Sequence, residues 1–191
     1  MSDRNPEDNN SSAAQNTSGA AASASSSAAS WDSERHKITK IDLDEKTVLR
    51  RSPEVEHERS VAIYDLLDMN RFRPVGEHAD SGPFKLYLSI EDGSRLVFYL
   101  GTDDQPELTW VNLPLSPFRR LIKDYFQICE SYYDAIKRLS PSQIETIDMA
   151  RRGLHNEGSD LLRERLDGKL EMDLQTARRL FTLICVLHIR A

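Results

Sequence analysis

Phe84-Lys85-Leu86-Tyr87-Leu88-Ser89-Ile90-Glu91-Asp92-Gly93-Ser94-Arg95-Leu96-Val97-Phe98-Tyr99-Leu100 is the stretch that decides the fold class. Phe84, Leu86, Leu88 and Ile90 alternate with Lys85, Tyr87 and Ser89, the period-two pattern of a half-buried strand. Asp92-Gly93 then offers two residues that tolerate positive φ, as a tight hairpin turn requires. Leu96, Phe98 and Leu100 repeat the alternation on the return. Beyond the polar loop 102–106, Leu108, Trp110 and Val111 mark a third strand, so the middle of the chain reads as a β-meander. Upstream, Ile38, Ile41 and Leu43 form a short β-prone segment, and 47–50 suggests a second short strand after the turn-like Asp44-Glu45-Lys46.

Outside the meander the period changes to that of helices. Ser52-Pro53-Glu54 reads as a helix start: a capping hydroxyl, a proline whose missing N–H costs nothing there, and an acid at the positive end of the dipole. Val55, Ala62, Ile63, Leu66 and Leu67 give that helix one apolar face, ending near Met69. Ser116-Pro117 repeats the start, followed by Phe118, Leu121, Ile122, Tyr125, Cys129, Tyr132 and Ile136 at spacings of three and four. Ser140 with Gln143 forms a capping box for a third helix, expected to reach Asp167 and stop at Gly168. Asp173 caps the last helix, whose Leu174, Ala177, Leu180, Phe181, Ile184, Cys185 and Leu187 place it at the centre of the core. The expected class is α+β: an antiparallel β-meander packed against three C-terminal helices plus one N-terminal helix.

Residues 1–34 have a different composition. They are almost entirely Ser, Ala, Asn and acidic residues, with no apolar side chain larger than Ala between Met1 and Trp31. Such a segment cannot bury enough surface to offset the entropy of ordering, so it reads as a disordered tail before a single domain, 35–191. One arginine against five carboxylates gives the tail −4 of the chain's −6, leaving a nearly neutral body. That balance argues against a general nucleic-acid or membrane-surface binder. Two cysteines, Cys129 and Cys185, both within apolar helical patterns, fit buried thiols in a reducing compartment. The apolar run 180–189 is far short of the ~20 residues of a membrane span, and no signal peptide is visible. A cytoplasmic protein is expected.

Several blocks agree in order with a known group of proteins. They are Ser52-Pro53-Glu54-Val55-Glu56-His57-Glu58-Arg59, then Pro117-Phe118-Arg119-Arg120, then Arg151-Arg152-Gly153-Leu154-His155-Asn156-Glu157-Gly158, and the closing Ala177-Arg178-Arg179-Leu180-Phe181. On these the chain, from about Thr39 onward, resembles an uncharacterised protein family of small, chiefly alphaproteobacterial proteins. The resemblance implies a bacterial cytosolic protein and carries no activity, cofactor or site residue.

The residues themselves point to one segment. Ile144, Ile147, Leu154, Leu161 and Leu162 define a buried stripe, and continuing it at helical spacing places Arg151 on it. Asp148 and His155 flank Arg151 at i−3 and i+4, and Asn156 adjoins them. Gly158 leaves room on the same face for a close approach by backbone or ligand. Asp148, Arg151, His155 and Asn156 are therefore the candidate ligand-binding residues: Arg151 to hold a carboxylate or phosphate, His155 to titrate near neutral pH. The competing reading is a structural ion pair of Asp148 with Arg151 or Arg152, with Gly158 serving helix packing. Glu54-x-x-His57 is spaced like half of a di-iron site but lacks its second pair, so a solvated acidic helix start is expected and no metal or cofactor. Arginine doublets such as Arg119-Arg120 and Arg178-Arg179 come without any nucleic-acid motif. The reading that results is a non-catalytic cytosolic protein binding a protein partner or small anion, with a homodimer conceivable. The alternatives are an enzyme using His155 as acid/base and Arg151 as anion clamp, and a weak nucleic-acid binder.

Overall fold

The computed structural model of the protein describes residues 30–44 and 52–188. Residues 1–29 of the expected tail and the short strand expected at 47–50 lie outside them. The elements run β1 (Ile38–Leu43), α1 (Pro53–Asp68), β2 (Phe72–Pro74), β3 (Phe84–Glu91), β4 (Arg95–Gly101), β5 (Thr109–Pro114), α2 (Arg119–Arg138), α3 (Pro141–Arg165), β6 (Leu170–Met172) and α4 (Leu174–His188). The α+β class is as expected.

The meander forms in the register its alternation dictates. β3 pairs antiparallel with β4 through Leu86 with Leu100 and Leu88 with Phe98, so the apolar side chains share one face and are buried there. Asp92 and Gly93 both take positive φ, 50° and 61°, at the turn. β5 follows antiparallel beside β4. Two features correct the purely antiparallel expectation. β1 joins the far edge parallel to β3, giving the order β1-β3-β4-β5, because α1 intervenes and carries the chain back to the same end. A second sheet of two three-residue strands, β2 with β6, closes the chain over a separation of about a hundred residues.

The helix starts differ in their chemistry. Ser52 accepts from the N–H of Val55 at 3.3 Å, and Asp173 Oδ1 accepts from the N–H of Thr176 at 2.7 Å. Gln143 Oε1 accepts from the N–H of Ser140, closing the capping box. At Ser116-Pro117 the expected cap is absent: residues Ser116–Phe118 form a 3-10 turn without a side-chain cap, and α2 continues from it. α4 lies at the centre, as its all-round apolar second half requires: Leu180, Phe181, Leu183, Ile184, Cys185 and Val186 are all fully buried. α1, α3 and the core face of the sheet surround it. Trp31 also belongs to the folded body. Its ring packs edge-on to buried His36 and receives the guanidinium of Arg73 at 4.9 Å, so the packed chain begins some residues before the compositional boundary at 34.

Candidate functional site

Asp148, Arg151 and His155 come together on the inner face of α3, and Asn156, one helical step round, is exposed. Arg151 donates from Nε and Nη2 to Asp148 Oδ1 at 3.1 and 2.9 Å. Arg152 Nε reaches the other oxygen of Asp148 at 2.7 Å. The guanidinium of Arg151 also lies 4.9 Å over the ring of Tyr132 and 3.8 Å from Glu58 Oε1. Arg151 is thus held by two carboxylates and an aromatic face. Its hydrogen bond to Asp148 holds that carboxyl below the usual range despite partial burial.

His155 is buried one turn further along. Its ring meets the edges of Tyr125 and Phe181 at centroid separations of 5.2 and 6.3 Å. Burial, with the nearby charges of Arg151 and Arg178, holds its pKa down to about 4, so the imidazole is neutral at pH 7. Gly158 does provide a close approach, and the visitor is the buried ring of Phe181: a Cβ there would fall inside the ring's van der Waals envelope. Gly158→Ala is therefore expected to lower stability by about 1–3 kcal/mol through overpacking, read from the urea midpoint. An unchanged midpoint would show that the ring yields freely.

Glu58 is the residue that the sequence reading missed. It looks like part of a solvated acidic helix start, yet it is the hub of the site. Tyr133 Oη donates to Oε1 at 2.9 Å, Tyr125 Oη approaches Oε2 at 3.4 Å, and Arg151 faces the same carboxylate. A signal did exist: Val55, Glu58 and Ala62 fall on one stripe of α1 at spacings of three and four, the same argument that selects Arg151 on α3. Desolvation and the charge of Glu58 push both phenols up, and they push the Cys129 thiol up to about 11. Cys129 is therefore a protonated thiol at neutral pH rather than a nucleophile. Among the described residues no group of three or more His, Cys, Asp or Glu side chains is placed to hold a metal ion.

Two hollows flank Glu58. A cleft of about 380 Å³ opens between α1 and α2, with Val55, Tyr125, Phe126 and Tyr133 among its walls. Glu54, Glu130 and Asp134 also line it, with Lys137 the one cation among the described residues there. A smaller groove of about 220 Å³ lies between α1 and α4 and includes His155. Arg151 lines neither, and no helix of the described residues is long and apolar enough to cross a membrane.

Comparison with known proteins bears out the resemblance read from the sequence. The chain belongs to the Uncharacterised protein family (UPF0262), whose family model matches residues 35–190. It is 60% identical to a UPF0262 protein of Paramagnetospirillum magneticum, over 82% of this chain and 98% of the relative. It is 57% identical to one of Ruegeria pomeroyi, over 80% and 96%. With one of Mesorhizobium japonicum the identity is 54%, over 83% and 97%. No solved structure matches the chain.

Proposed function

We propose that this UPF0262 member is a non-catalytic cytosolic protein that binds a small ligand in the cleft between α1 and α2, and that the ligand joins an apolar body to a cationic group. The observation that carries this reading is the composition of the cleft. Its volume of about 380 Å³ suits a small organic molecule, and its walls are aromatic and aliphatic. Among the described residues, Glu54, Glu58, Glu130 and Asp134 line it against Lys137, a field that concentrates cations and repels anions. Aromatic faces beside a desolvated ammonium add to the attraction. Arg151 gives little support to an anion in this cleft, because its charge is already committed to Asp148 and Glu58. A protonated Cys129 and a buried, neutral His155 that lines only the neighbouring groove favour binding over turnover in this cleft.

Calorimetric titration with phenethylamine, beside its uncharged alcohol analogue, tests this. The amine is expected to bind saturably and the alcohol much more weakly. The triple substitution Glu54→Gln, Glu130→Gln and Asp134→Asn, all at the partly or fully exposed rim, is expected to weaken the amine about tenfold. Equal affinity for amine and alcohol would sink the cationic assignment. Turnover that depended on His155 would replace binding with the enzymatic reading.

A further inference from the structure

On the other side of Glu58, the groove between α1 and α4 has a different chemistry. Asp65, Gln175, Arg178 and Arg179 line it, together with His155 and Thr182. Nitrogen groups without acceptors gather here. His155 is 9% exposed, and its Nε2 is buried with no hydrogen-bond partner. Nη1 of Arg179 is buried and equally unpartnered, and Nε of the same guanidinium reaches only Asp65, at 3.7 Å. Arg178 adds a second cation that forms no ion pair among the described residues, close enough for its charge to act on His155. Buried donors left without acceptors are rare in folded chains because each forfeits its hydration. A single oxyanion satisfies several of them at once through charge-assisted bonds.

We propose that this groove binds a small oxyanion, a carboxylate or phosphate group, between the Arg178 and Arg179 guanidiniums and the Nε2–H of His155. The imidazole has the means to present that proton. Thr182 Oγ1 donates to the backbone carbonyl of Arg178 at 3.2 Å and lies 3.4 Å from Nδ1, so an anion that accepts from Nε2–H selects the tautomer in which this hydroxyl turns to Nδ1. The two carboxylates at the groove do not oppose the anion strongly. Glu58 is occupied by Tyr125, Tyr133 and Arg151, and Asp65 is drawn toward Arg179. The volume, about 220 Å³, limits the occupant to a small anion or to the anionic end of a larger molecule. This groove is distinct from the α1–α2 cleft, so the assignment stands or falls independently of the cationic ligand.

The test is titration of the full chain with inorganic phosphate and, separately, with acetate, following the ring nitrogen resonances of His155 by NMR. A saturable shift of the Nε2 signal is expected in at least one arm, and the arm that responds distinguishes phosphate from carboxylate. Arg178→Gln is expected to weaken that binding about tenfold while leaving the melting temperature near that of the native chain. Arg120→Gln, at an exposed arginine of α2, is expected to leave the affinity unchanged. A His155 ring signal that neither anion moves, or an Arg178→Gln variant that binds as tightly as the native chain, overturns the assignment.

Discussion

Glu58→Ala is expected to destabilise the protein by about 2–4 kcal/mol, the largest single-site loss we anticipate outside the aliphatic core. The side chain of Glu58 is 18% exposed and accepts from two phenols whose own surroundings are poor in water. Its removal strands the hydroxyls of Tyr125 and Tyr133 and takes away one of the two carboxylates that face Arg151. Asp148 still holds that guanidinium, which keeps the cost below that of orphaning a buried charge. Glu58→Gln retains shape and an acceptor oxygen, so about 1 kcal/mol is expected for it. Urea denaturation of the two variants reads both values. An alanine variant within about 0.5 kcal/mol of the native chain would show that the hydrogen bonds at Glu58 contribute nothing net, and the hub would lose its meaning.

Acid is expected to remove up to about 3 kcal/mol of stability through His155 alone. Its folded pKa is held down to about 4 against an ordinary value of 6.5. The unfolded chain therefore takes up a proton that the folded chain refuses, and stability falls as pH drops through that window. The contribution is fully present above pH 6.5 and fully lost below about 4, with about 2 kcal/mol already gone at pH 5. Asp148 acts in the same direction but lower on the scale, since its carboxyl is held below the usual range by Arg151. Denaturation midpoints at pH 7 and pH 5 separate the two groups. His155→Gln, which cannot titrate, is expected to flatten the curve between these values. A native chain equally stable at both would mean that His155 is protonated where it lies.

How much of this was legible in the chain depended on distance along it. The site illustrates the point. Asp148 and Arg151 are three residues apart on one helix, and their ion pair follows from spacing alone. Glu58 meets Tyr133 across 75 residues, and no local rule joins them. The stripe containing Val55 and Ala62 marks Glu58 as inward-facing, but it does not say toward what. Asn156 fails for the opposite reason: adjacency in sequence turns a side chain 100° round the helix, and here that leads to solvent.

The chain by itself settled the type of the meander, the helical character of its C-terminal half, the Asp173 cap and the central position of the last helix. Each of these follows from hydrophobic period or local hydrogen bonding, which act over a few residues. The packed structure alone decided that β1 lies parallel to β3 and that the three-residue strands Phe72–Pro74 and Leu170–Met172 pair. It also decided that Phe181 fills the gap at Gly158 and that a glutamate from α1 completes the site on α2 and α3. Those contacts join segments whose individual propensities are weak or neutral. They form because burying the shared core fixes every surface at once, and that constraint is not written in any one stretch of residues.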